Sequence, residues 1–485
     1  MLMFCVSGII LNHRPLFADI NVSRGMLPKT YRFDRWNNGL MRGILRTAGK
    51  DSANVLIYGN SGIWQTDTLF SFYSDFNAGF PHGADYRTVK GLVQTPDSTL
   101  LACAQFGVYR RVGDSWEEIP MPEMDEERLS DITVREDTVV VSGRNYLYVA
   151  IPPYQDFHKV TVQSPEGYDG KVSLFRTVWL LHSGQMLGTV GKILMDAVAV
   201  VLIILCITGL ILWLLPKSMK RRRKAEKDVS RSAKSFSRTM KLHNSLGYYL
   251  FIILLFVAVT GWCLRPPVLI ALVKGNVPPV PGSVLDSPNA WNDKLRMVRY
   301  DERMDDWVLS TSEGFYSLKT LESVPEKIKV QPPVSVMGLN AWEKDTEGNW
   351  LCGSFCGLFK WDRVNAKATD WYTGEPAPES AGAPFGKIAI SGSCTDAEGN
   401  FHPVEYNEGT GFPAMPERFA KLPMSLWNLS LEVHTGRIYT FLGPVNLIFI
   451  FFAGLAAIWC LWTGYKVRLK NKRRKKDKKS GSVKA

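Results

Sequence analysis

The sequence predicts a membrane protein that combines a four-helix transmembrane core with an all-β outer domain. Three apolar segments are each long enough to span a bilayer, and clusters of basic residues adjoin them on one side. Between these segments, short alternating apolar stretches separated by turn residues are typical of β-strands. The chain has 485 residues, of which 46% are hydrophobic and 21% charged, and this composition excludes a disordered or fibrous polymer.

The net charge of +12 is concentrated in two short basic clusters. Residues 216–242 hold eleven Lys and Arg against two acidic residues, a local charge of +9. Residues 465–485 hold eleven against one acidic residue, a local charge of +10. The two clusters together carry +19, so the rest of the chain is net −7. This distribution argues against a basic nucleic-acid-binding domain.

Each apolar segment is expected to form one membrane-spanning helix. Residues 193–215 contain a single charge, Asp196, in 23 residues, and residues 246–264 and 441–465 have the same character. At a rise of about 1.5 Å per residue, such segments cross the hydrocarbon core of a bilayer. The positive-inside rule then places both basic clusters in the cytoplasm and the segments between the spans outside.

The N-terminal residues 1–13 predict the outer part of a further helix. They are too short to span a membrane, and like residues 256–267 they are apolar, carry a small hydroxyl residue before Gly, and lead into Arg-Pro. His243 precedes Thr260 by 17 residues, and the same offset from Ser7 falls about ten residues before the start of the chain. We therefore expect the first helix to be truncated here.

The chain repeats one plan twice: helix, outer segment, a His-Ser/Thr-Gly entrance, and helix. Residues 180–193 (LLHSGQMLGTVGKI) are similar to residues 432–447 (EVHTGRIYTFLGPVNL). A hydroxyl residue followed by Gly recurs in every apolar helix, at Ser7-Gly8, Thr208-Gly209, Thr260-Gly261 and Thr463-Gly464.

The outer segments contain a repeated β-hairpin unit. A β-branched or aromatic strand, a tight turn and an aromatic second strand recur at residues 54–67, 99–112, 138–151, 306–319 and 349–362. The similarity of the turns at Asp345 and Asp396 predicts a sixth unit. About three units per segment cannot close a ring alone, so the sequence predicts a single β-propeller of five or six blades split between two loops. Two small separate β-sandwiches are the alternative.

The cysteines and three of the histidines suggest no metal site. No Cys-x-x-Cys-His motif is present, which excludes covalent c-type haem. Cys352 and Cys356 flank a predicted hairpin turn, where a disulfide and two free thiols are equally compatible with the spacing. His82, His158 and His402 are interpreted as ordinary loop histidines.

The other four histidines all lie at span ends: His13, His182, His243 and His434. A histidine near hydrocarbon is costly unless it has a partner, a metal, or contact with interfacial water or lipid head groups. Since His182 and His434 occupy equivalent places in the two halves, a two-fold pairing would bring both imidazoles together, as in a bis-histidine haem b. The nearby Gly184, Gly188 and Gly191 would admit a flat macrocycle or serve helix packing.

Three ordered motifs carry a resemblance to a known family. LHSGQMLGTVGK with CITG, LHNSLG with AVTG, and EVHTGRIY with LWTG resemble the PepSY-associated transmembrane family, whose members include haem-containing ferrisiderophore reductases of the bacterial inner membrane. The resemblance implies a four-helix core and two haems b that pass electrons outward to a ferric substrate. It implies that His182 and His434 hold the outer haem and His243 half of the inner one. Independently of the resemblance, His13 is predicted at the same outer end as His182 and His434, where it could compete as a ligand. The truncated first helix and the propeller-like periplasmic region depart from the family pattern.

The leading hypothesis is therefore an inner-membrane haem-b electron-transfer protein, a candidate ferric or ferrisiderophore reductase. Its expected partners are the lipid bilayer, a periplasmic iron complex or protein, and an electron donor in the membrane or cytoplasm, since the sequence has no dinucleotide-binding fingerprint. The alternative is a non-enzymatic envelope sensor or assembly protein whose propeller binds a ligand or protein. A transporter is less favoured, because Asp196 is the one carboxylate in a clear span and no broken-helix signature is present.

The expected organisation follows the chain in eight segments: a remnant of the first helix (1–13), a periplasmic β half (14–175), an entrance and helix (176–216), a basic cytoplasmic loop (217–242), a helix (243–265), a second periplasmic β half (266–428), an entrance and helix (429–465), and a basic cytoplasmic tail (466–485).

Overall fold

The chain divides into two compact units, one mainly helical and one of β-sheets. The computed structural model describes residues 1–48, 54–124, 127–273, 275–379, 388–443 and 445–481. The helical unit comprises Met1–Arg14, Gly170–Asp286 and Leu429–Ala485, and the β unit comprises Pro15–Asp169 and Ser287–Asn428. Each unit is thus assembled from separate stretches of both halves of the chain.

The described residues form nine α-helices: α1 Leu2–Asn12, α2 Arg14–Phe17, α3 Leu174–Ser183, α4 Gly188–Lys224, α5 Ser230–Tyr249, α6 Phe251–Cys263, α7 Val268–Val273, α8 Leu426–Thr435 and α9 Val445–Gly481. Short 3₁₀ turns lie at Arg24–Met26, Lys29–Tyr31, Gln185–Leu187, Glu417–Lys421 and Thr440–Leu442.

Two of the described helical segments are long and apolar enough to cross a membrane, Gln185–Lys224 and Val445–Lys470. They contain the predicted spans 193–215 and 441–465. The single helix predicted over 246–264 is instead broken, because α5 and α6 meet at a bend of 70° and count as a third span only if taken together. The predicted four-helix core is therefore represented by two clear spans, one bent pair and the short apolar helix α1.

The bend between α5 and α6 is held by aromatic stacking on α9. Phe251 stacks on Tyr465 with ring centroids 4.1 Å apart and planes within 10° of parallel. Tyr248, on the other side of the break, stacks on the same Tyr465 ring at 5.5 Å. Because one ring packs against residues on both sides of the bend, tertiary packing overrides the local tendency of this apolar sequence to continue as one helix.

Within the helical unit, the two halves of the chain interleave. Helix α4 packs on α1 and α5, α9 packs on α5 and α6, and α3 packs on α6. A short antiparallel ladder joins β14 Val172–Ser173 to β15 Asn276–Val277, one strand from each half.

The described residues of the β unit form six hairpin-based sheets and one short ladder. The sheets are β2–β5 (Gly43–Arg46, Val55–Gly59, Gly62–Thr66, Ser74–Asp75), β6–β9 (Val89–Gln94, Leu100–Ala104, Val108–Val112, Ser115–Ile119), β10–β13 (Asp131–Arg135, Thr138–Ser142, Leu147–Ala150, His158–Val160), β16–β19 (Leu295–Asp301, Asp306–Thr311, Gly314–Leu318, Glu326–Lys327), β20–β23 (Leu339–Lys344, Trp350–Ser354, Gly357–Asp362, Lys367–Asp370) and β24–β25 (Ile390–Thr395, Phe401–Glu405). The short ladder pairs β1 Asn21–Val22 with β26 Met424–Ser425.

Every predicted hairpin unit is confirmed as an antiparallel strand pair, and the sixth unit is the pair β24–β25. The turns require glycine where the backbone enters the left-handed region, as at Gly62 (φ 95°) and Gly357 (φ 139°). Local alternation and turn chemistry therefore suffice to place these strands.

Hydrophobic cores join neighbouring sheets across the two outer segments. One core packs Val140 and Leu147 of the first segment against Leu295 and Leu309 of the second. Another packs Trp36 with residues near the end of the second segment. The alternative of two separate β-sandwiches is therefore wrong. Each sheet nevertheless remains its own hydrogen-bonded ladder, and the described strands form no single closed sheet.

A buried ionic network stabilises two neighbouring sheets. Arg363 Nη1 donates to Asp301 Oδ2 and to Asp306 Oδ1, and Nη2 donates to Asp306 Oδ2, each at 2.7 Å. The three side chains are only 6%, 3% and 5% exposed. Trp350 Nε1 also donates to Asp301 Oδ2 at 3.0 Å. Both carboxylates are thus fully partnered, as buried charges require.

Three sequence interpretations of the β unit need correction or completion. His158 lies in β13 and His402 in β25, so only His82 of the three lies outside a strand. His402 Nε2 contacts Asp396 Oδ2 at 3.1 Å in the adjoining turn. Of the two alternatives for Cys352 and Cys356, the structure has free thiols, with Cys352 buried and Cys356 half-buried.

Candidate functional site

The structure brings His182 and His434 together in the helical unit. Their ring centroids are 6.0 Å apart, and the ring planes are inclined at 50°. His182 lies in the last turn of α3 and His434 in the last turn of α8. Each helix ends at a left-handed glycine two residues later, Gly184 (φ 79°) and Gly436 (φ 74°). The repeated His-Ser/Thr-Gly motif is therefore a helix C-terminus that presents a histidine.

His182 packs against the Thr260-Gly261 step of α6. Its Nδ1 lies 3.2 Å from Thr260 Oγ1. A Cβ placed on Gly261 would lie 2.7 Å from His182 Cε1, so only glycine leaves room for the ring at this distance. Burial lowers the pKa of His182 to about 4, which keeps the imidazole neutral at physiological pH.

His434 makes the corresponding contact with the Ser7-Gly8 step of α1. Its Nδ1 lies 3.1 Å from Ser7 Oγ and 2.9 Å from the carbonyl oxygen of Phe4. A Cβ on Gly8 would lie 3.3 Å from His434 Cε1. Burial, followed by repulsion from His182, lowers the pKa of His434 to about 4, so this ring is also neutral.

Arg265, just beyond the end of α6, adjoins this histidine pair. Its Nη2 donates to the carbonyl oxygen of His434 at 2.9 Å, and burial lowers the pKa of its guanidinium to about 10. The Arg-Pro step after the apolar segment is visible in the sequence, but the pattern predicts no role for its arginine. The available signal was the position of a basic residue at the end of an apolar segment.

His243 lies on α5 and contacts a different hydroxyl–glycine step, on α4. Its Nδ1 is 2.8 Å from Thr208 Oγ1, and a Cβ on Gly209 would lie 3.5 Å from its Cε1. The arrangement repeats that of His182 and His434. The contact belongs to α4 and α5 and involves neither of those two rings.

His13, the fourth predicted candidate, is directed to an acidic partner. Its Nε2 lies 2.5 Å from Asp196 Oδ2, and Asn12 Nδ2 donates to the other carboxylate oxygen at 3.4 Å. The structure therefore gives Asp196, the single charge of the 193–215 span, a specific partner. His13 is not one of the two rings that face each other at 6.0 Å.

The glycines beyond His182 pack against each other. A Cβ on Gly184 would lie 2.2 Å from the carbonyl oxygen of Gly191, while the space around Gly188 is open. For Gly184 and Gly191, this contact supports a role in helix packing, between the end of α3 and the start of α4.

The donor set at His182 and His434 fits a metal bound between two imidazoles. A transition metal lies about 2 Å from an imidazole nitrogen, and the nitrogen about 1.2 Å from its ring centroid, so two imidazoles bound in line to one metal would have centroids roughly 6.4 Å apart. The observed separation is 6.0 Å. Among the described residues no group of three or more His, Cys, Asp and Glu could hold a metal ion. A haem, whose macrocycle supplies the other nitrogen ligands of its iron, would need only two imidazoles from the protein, and His182 and His434 would be the residues to hold it.

Comparisons with known proteins give one family and several distant structures. The model of the PepSY-associated TM region matches residues 94–470. No curated protein matches the chain. The solved structures include the extracellular domains of two putative hybrid two component systems from B. thetaiotaomicron. BT4673 has 10% identity and a TM-score of 0.37, covering 76% of this chain and 32% of its own. BT3049 has 9% identity and a TM-score of 0.31, covering 77% and 39%. This chain thus spans about a third of their length.

Proposed function

We propose, from the premise that this chain belongs to the family of the PepSY-associated TM region, that it is a haem-b electron-transfer protein of a bacterial inner membrane. It would pass electrons to a periplasmic acceptor, with a ferric siderophore or another ferric complex as the leading candidate. Its membrane helices place it in contact with a lipid bilayer.

The observation that carries the proposal is the pair of neutral, buried imidazoles of His182 and His434 with ring centroids 6.0 Å apart. These two residues would hold an outer haem, which would supply one-electron Fe(III)/Fe(II) chemistry when bound. Arg265, beside His434, would offer its guanidinium to a haem propionate.

His243 would hold a second, inner haem from the cytoplasmic side. It is docked on Thr208-Gly209 in the same manner as the outer pair, and it follows the first basic cluster along the chain. A haem held there would supply the same one-electron chemistry at a second site. The donor would be a membrane-soluble carrier or a partner protein, because the sequence contains no dinucleotide fingerprint. His13 is the remaining candidate ligand for the outer site.

The six sheets would form one β-propeller in the periplasm. The first strand of each sheet packs in order around the unit: β2 contacts β6 and β24, β10 contacts β6 and β16, and β24 contacts β20. Met297 of β16 shares a hydrophobic core with Leu339 of β20. These contacts support a ring of six blades, in which packing between faces rather than hydrogen bonding closes the circle.

A visible absorption spectrum of the purified full chain tests the proposal. We expect a low-spin haem b spectrum, with His182→Ala and His434→Ala each converting the outer haem to high spin or releasing it. His82→Ala and His158→Ala, in the β unit, are matched controls that should retain the parent spectrum. A colourless protein would contradict electron transfer and favour the alternative of an envelope sensor or assembly protein.

Reporter fusions test the orientation separately. A reporter after Ala485 should be active only in its cytoplasmic form, and one at about residue 330 only in its periplasmic form, because the basic clusters carry +9 and +10. The opposite pattern would contradict the proposed direction of electron flow without affecting the haem ligands.

A further inference from the structure

Three buried hydroxyl groups in the apolar helices make the same pair of contacts. Ser7, Thr208 and Thr260 are 3%, 6% and 8% exposed. Each hydroxyl donates to the carbonyl oxygen four residues earlier on its own helix: Ser7 Oγ to Met3 O at 2.7 Å, Thr208 Oγ1 to Ile204 O at 2.6 Å, and Thr260 Oγ1 to Phe256 O at 2.8 Å. A carbonyl oxygen can only accept, so the single hydroxyl proton is used in this bond.

The oxygen of each hydroxyl is therefore left to accept a hydrogen bond, and a histidine Nδ1 lies within reach of it. The distances from Nδ1 are 3.1 Å for His434 to Ser7, 2.8 Å for His243 to Thr208, and 3.2 Å for His182 to Thr260. Because the oxygen accepts, Nδ1 must carry the proton, and a neutral imidazole then has its lone pair on Nε2.

His434 gives an independent check on this assignment. Its Nδ1 also lies 2.9 Å from the carbonyl oxygen of Phe4, which has no proton to donate. Both oxygen atoms near this nitrogen, Ser7 Oγ and Phe4 O, therefore require a proton on Nδ1. The glycine after each hydroxyl residue lets the ring approach: a Cβ there would lie 2.7 Å (Gly261), 3.3 Å (Gly8) or 3.5 Å (Gly209) from Cε1.

The Thr463-Gly464 step on α9 is a fourth copy of the motif that meets no imidazole among the described residues. Thr463 Oγ1 donates to the carbonyl oxygen of Trp459 at 2.8 Å, like the other three hydroxyls. A Cβ placed on Gly464 would have no described atom within 4 Å, apart from those of its two chain neighbours and of the nearby backbone of its own helix. This step supplies a matched control for the other three.

We propose that Ser7, Thr208 and Thr260 are positioning residues that hold His434, His243 and His182 in the Nδ1–H tautomer and so keep Nε2 open to a metal. The role of this arrangement in metal binding rests on the proposed haem function, whereas the assignment of the Nδ1–H tautomer does not. A hydrogen bond from Nδ1–H also makes Nε2 a stronger electron donor, which stabilises ferric over ferrous iron.

The test uses full-length protein labelled with ¹⁵N-histidine, in which ¹⁵N spectroscopy of the haem-free form separates protonated from bare ring nitrogens. We expect His182, His243 and His434 to have Nδ1–H and a bare Nε2. Thr260→Val should lower the Nδ1–H preference of His182 by roughly 2- to 10-fold, the range expected for one neutral hydrogen bond. Thr260→Ser should restore it, and Thr463→Val should leave all three resonances unchanged.

The same variants are then compared by redox titration of the haem-loaded protein. Thr260→Val should raise the reduction potential of the outer haem, while Thr260→Ser and Thr463→Val should match the parent. Nε2–H in the parent, or a Thr260→Val spectrum identical to the parent, would overturn the positioning role. A chain that shows the Nδ1–H tautomers but binds no haem would instead overturn the proposed function, so the two failures are distinguishable.

Discussion

Substituting Gly261 by alanine should displace the imidazole of His182. The new Cβ would lie 2.7 Å from His182 Cε1 and 3.3 Å from its Nδ1. Since ordinary contacts between carbon atoms are about 3.5–4.0 Å, the overlap with Cε1 is roughly 0.8 Å. The ring cannot move away freely, because its Nδ1 is hydrogen-bonded to the hydroxyl of Thr260, which precedes Gly261 on α6.

Overpacking of this kind costs about 1–3 kcal/mol, which corresponds to a roughly 5- to 150-fold change in an equilibrium constant. If His182 holds the proposed outer haem, we expect Gly261→Ala to weaken haem binding there by that factor and to remove its low-spin signature. Titration of the haem-free protein with haem, followed in the Soret band, measures both effects. Helix propensity acts in the opposite direction by about 1 kcal/mol, so the fold should be retained.

The same substitution, glycine to alanine, at two other hydroxyl–glycine steps provides matched controls. The Cβ of Gly209→Ala would lie at 3.5 Å from His243, and that of Gly464→Ala would meet open space. Both variants should bind haem within about 2-fold of the parent and be slightly more stable, as alanine favours a helix. If Gly261→Ala also keeps the parent affinity and spectrum, His182 is not held where the outer ligand is proposed.

Three further predictions concern charged side chains. Arg363→Met strands two buried carboxylates and should reduce the free energy of unfolding by about 3–5 kcal/mol in urea titrations followed by tryptophan fluorescence, whereas unchanged stability would contradict the role of the network. Although burial alone would raise the pKa of Asp301, hydrogen bonds from Trp350 and Arg363 lower it, so stability should be present above about pH 4 and be lost as the pH falls further, less steeply in Arg363→Met. His13→Ala should lower the melting temperature, by removing the partner of Asp196, while the haem spectrum stays that of the parent; a spectral change would make His13 a ligand.

The strands and the meeting of two histidines follow from the sequence, for different reasons. The hairpins are local, since alternation and turn glycines such as Gly62 and Gly357 determine them within about a dozen residues. The proximity of His182 and His434 was predicted from the internal repeat alone, because equivalent positions in two paired halves meet near their common axis. Neither inference needed knowledge of the packing between distant segments.

What the sequence could not predict depends on contacts between distant residues. The break at Leu250 arises where Tyr465, more than two hundred residues later, stacks on both sides of the bend. The pairing of His13 with Asp196 joins residues 183 positions apart. Each residue had been singled out as unusual for its place near hydrocarbon, but nothing in the local pattern assigned the partner. Whether the six sheets close into a ring depends likewise on packing between faces, which leaves no local signature.

The hydroxyl–glycine steps explain why the chain repeats its motifs rather than merely its hydrophobicity. Each of three histidines docks on the step supplied by the other half: His182 of the first half on Thr260 of the second, His434 of the second on Ser7 of the first, and His243 of the second on Thr208 of the first. Because histidine and support are exchanged in both directions, neither half alone can orient these three histidines. The imidazole pair therefore exists only when the two halves are assembled.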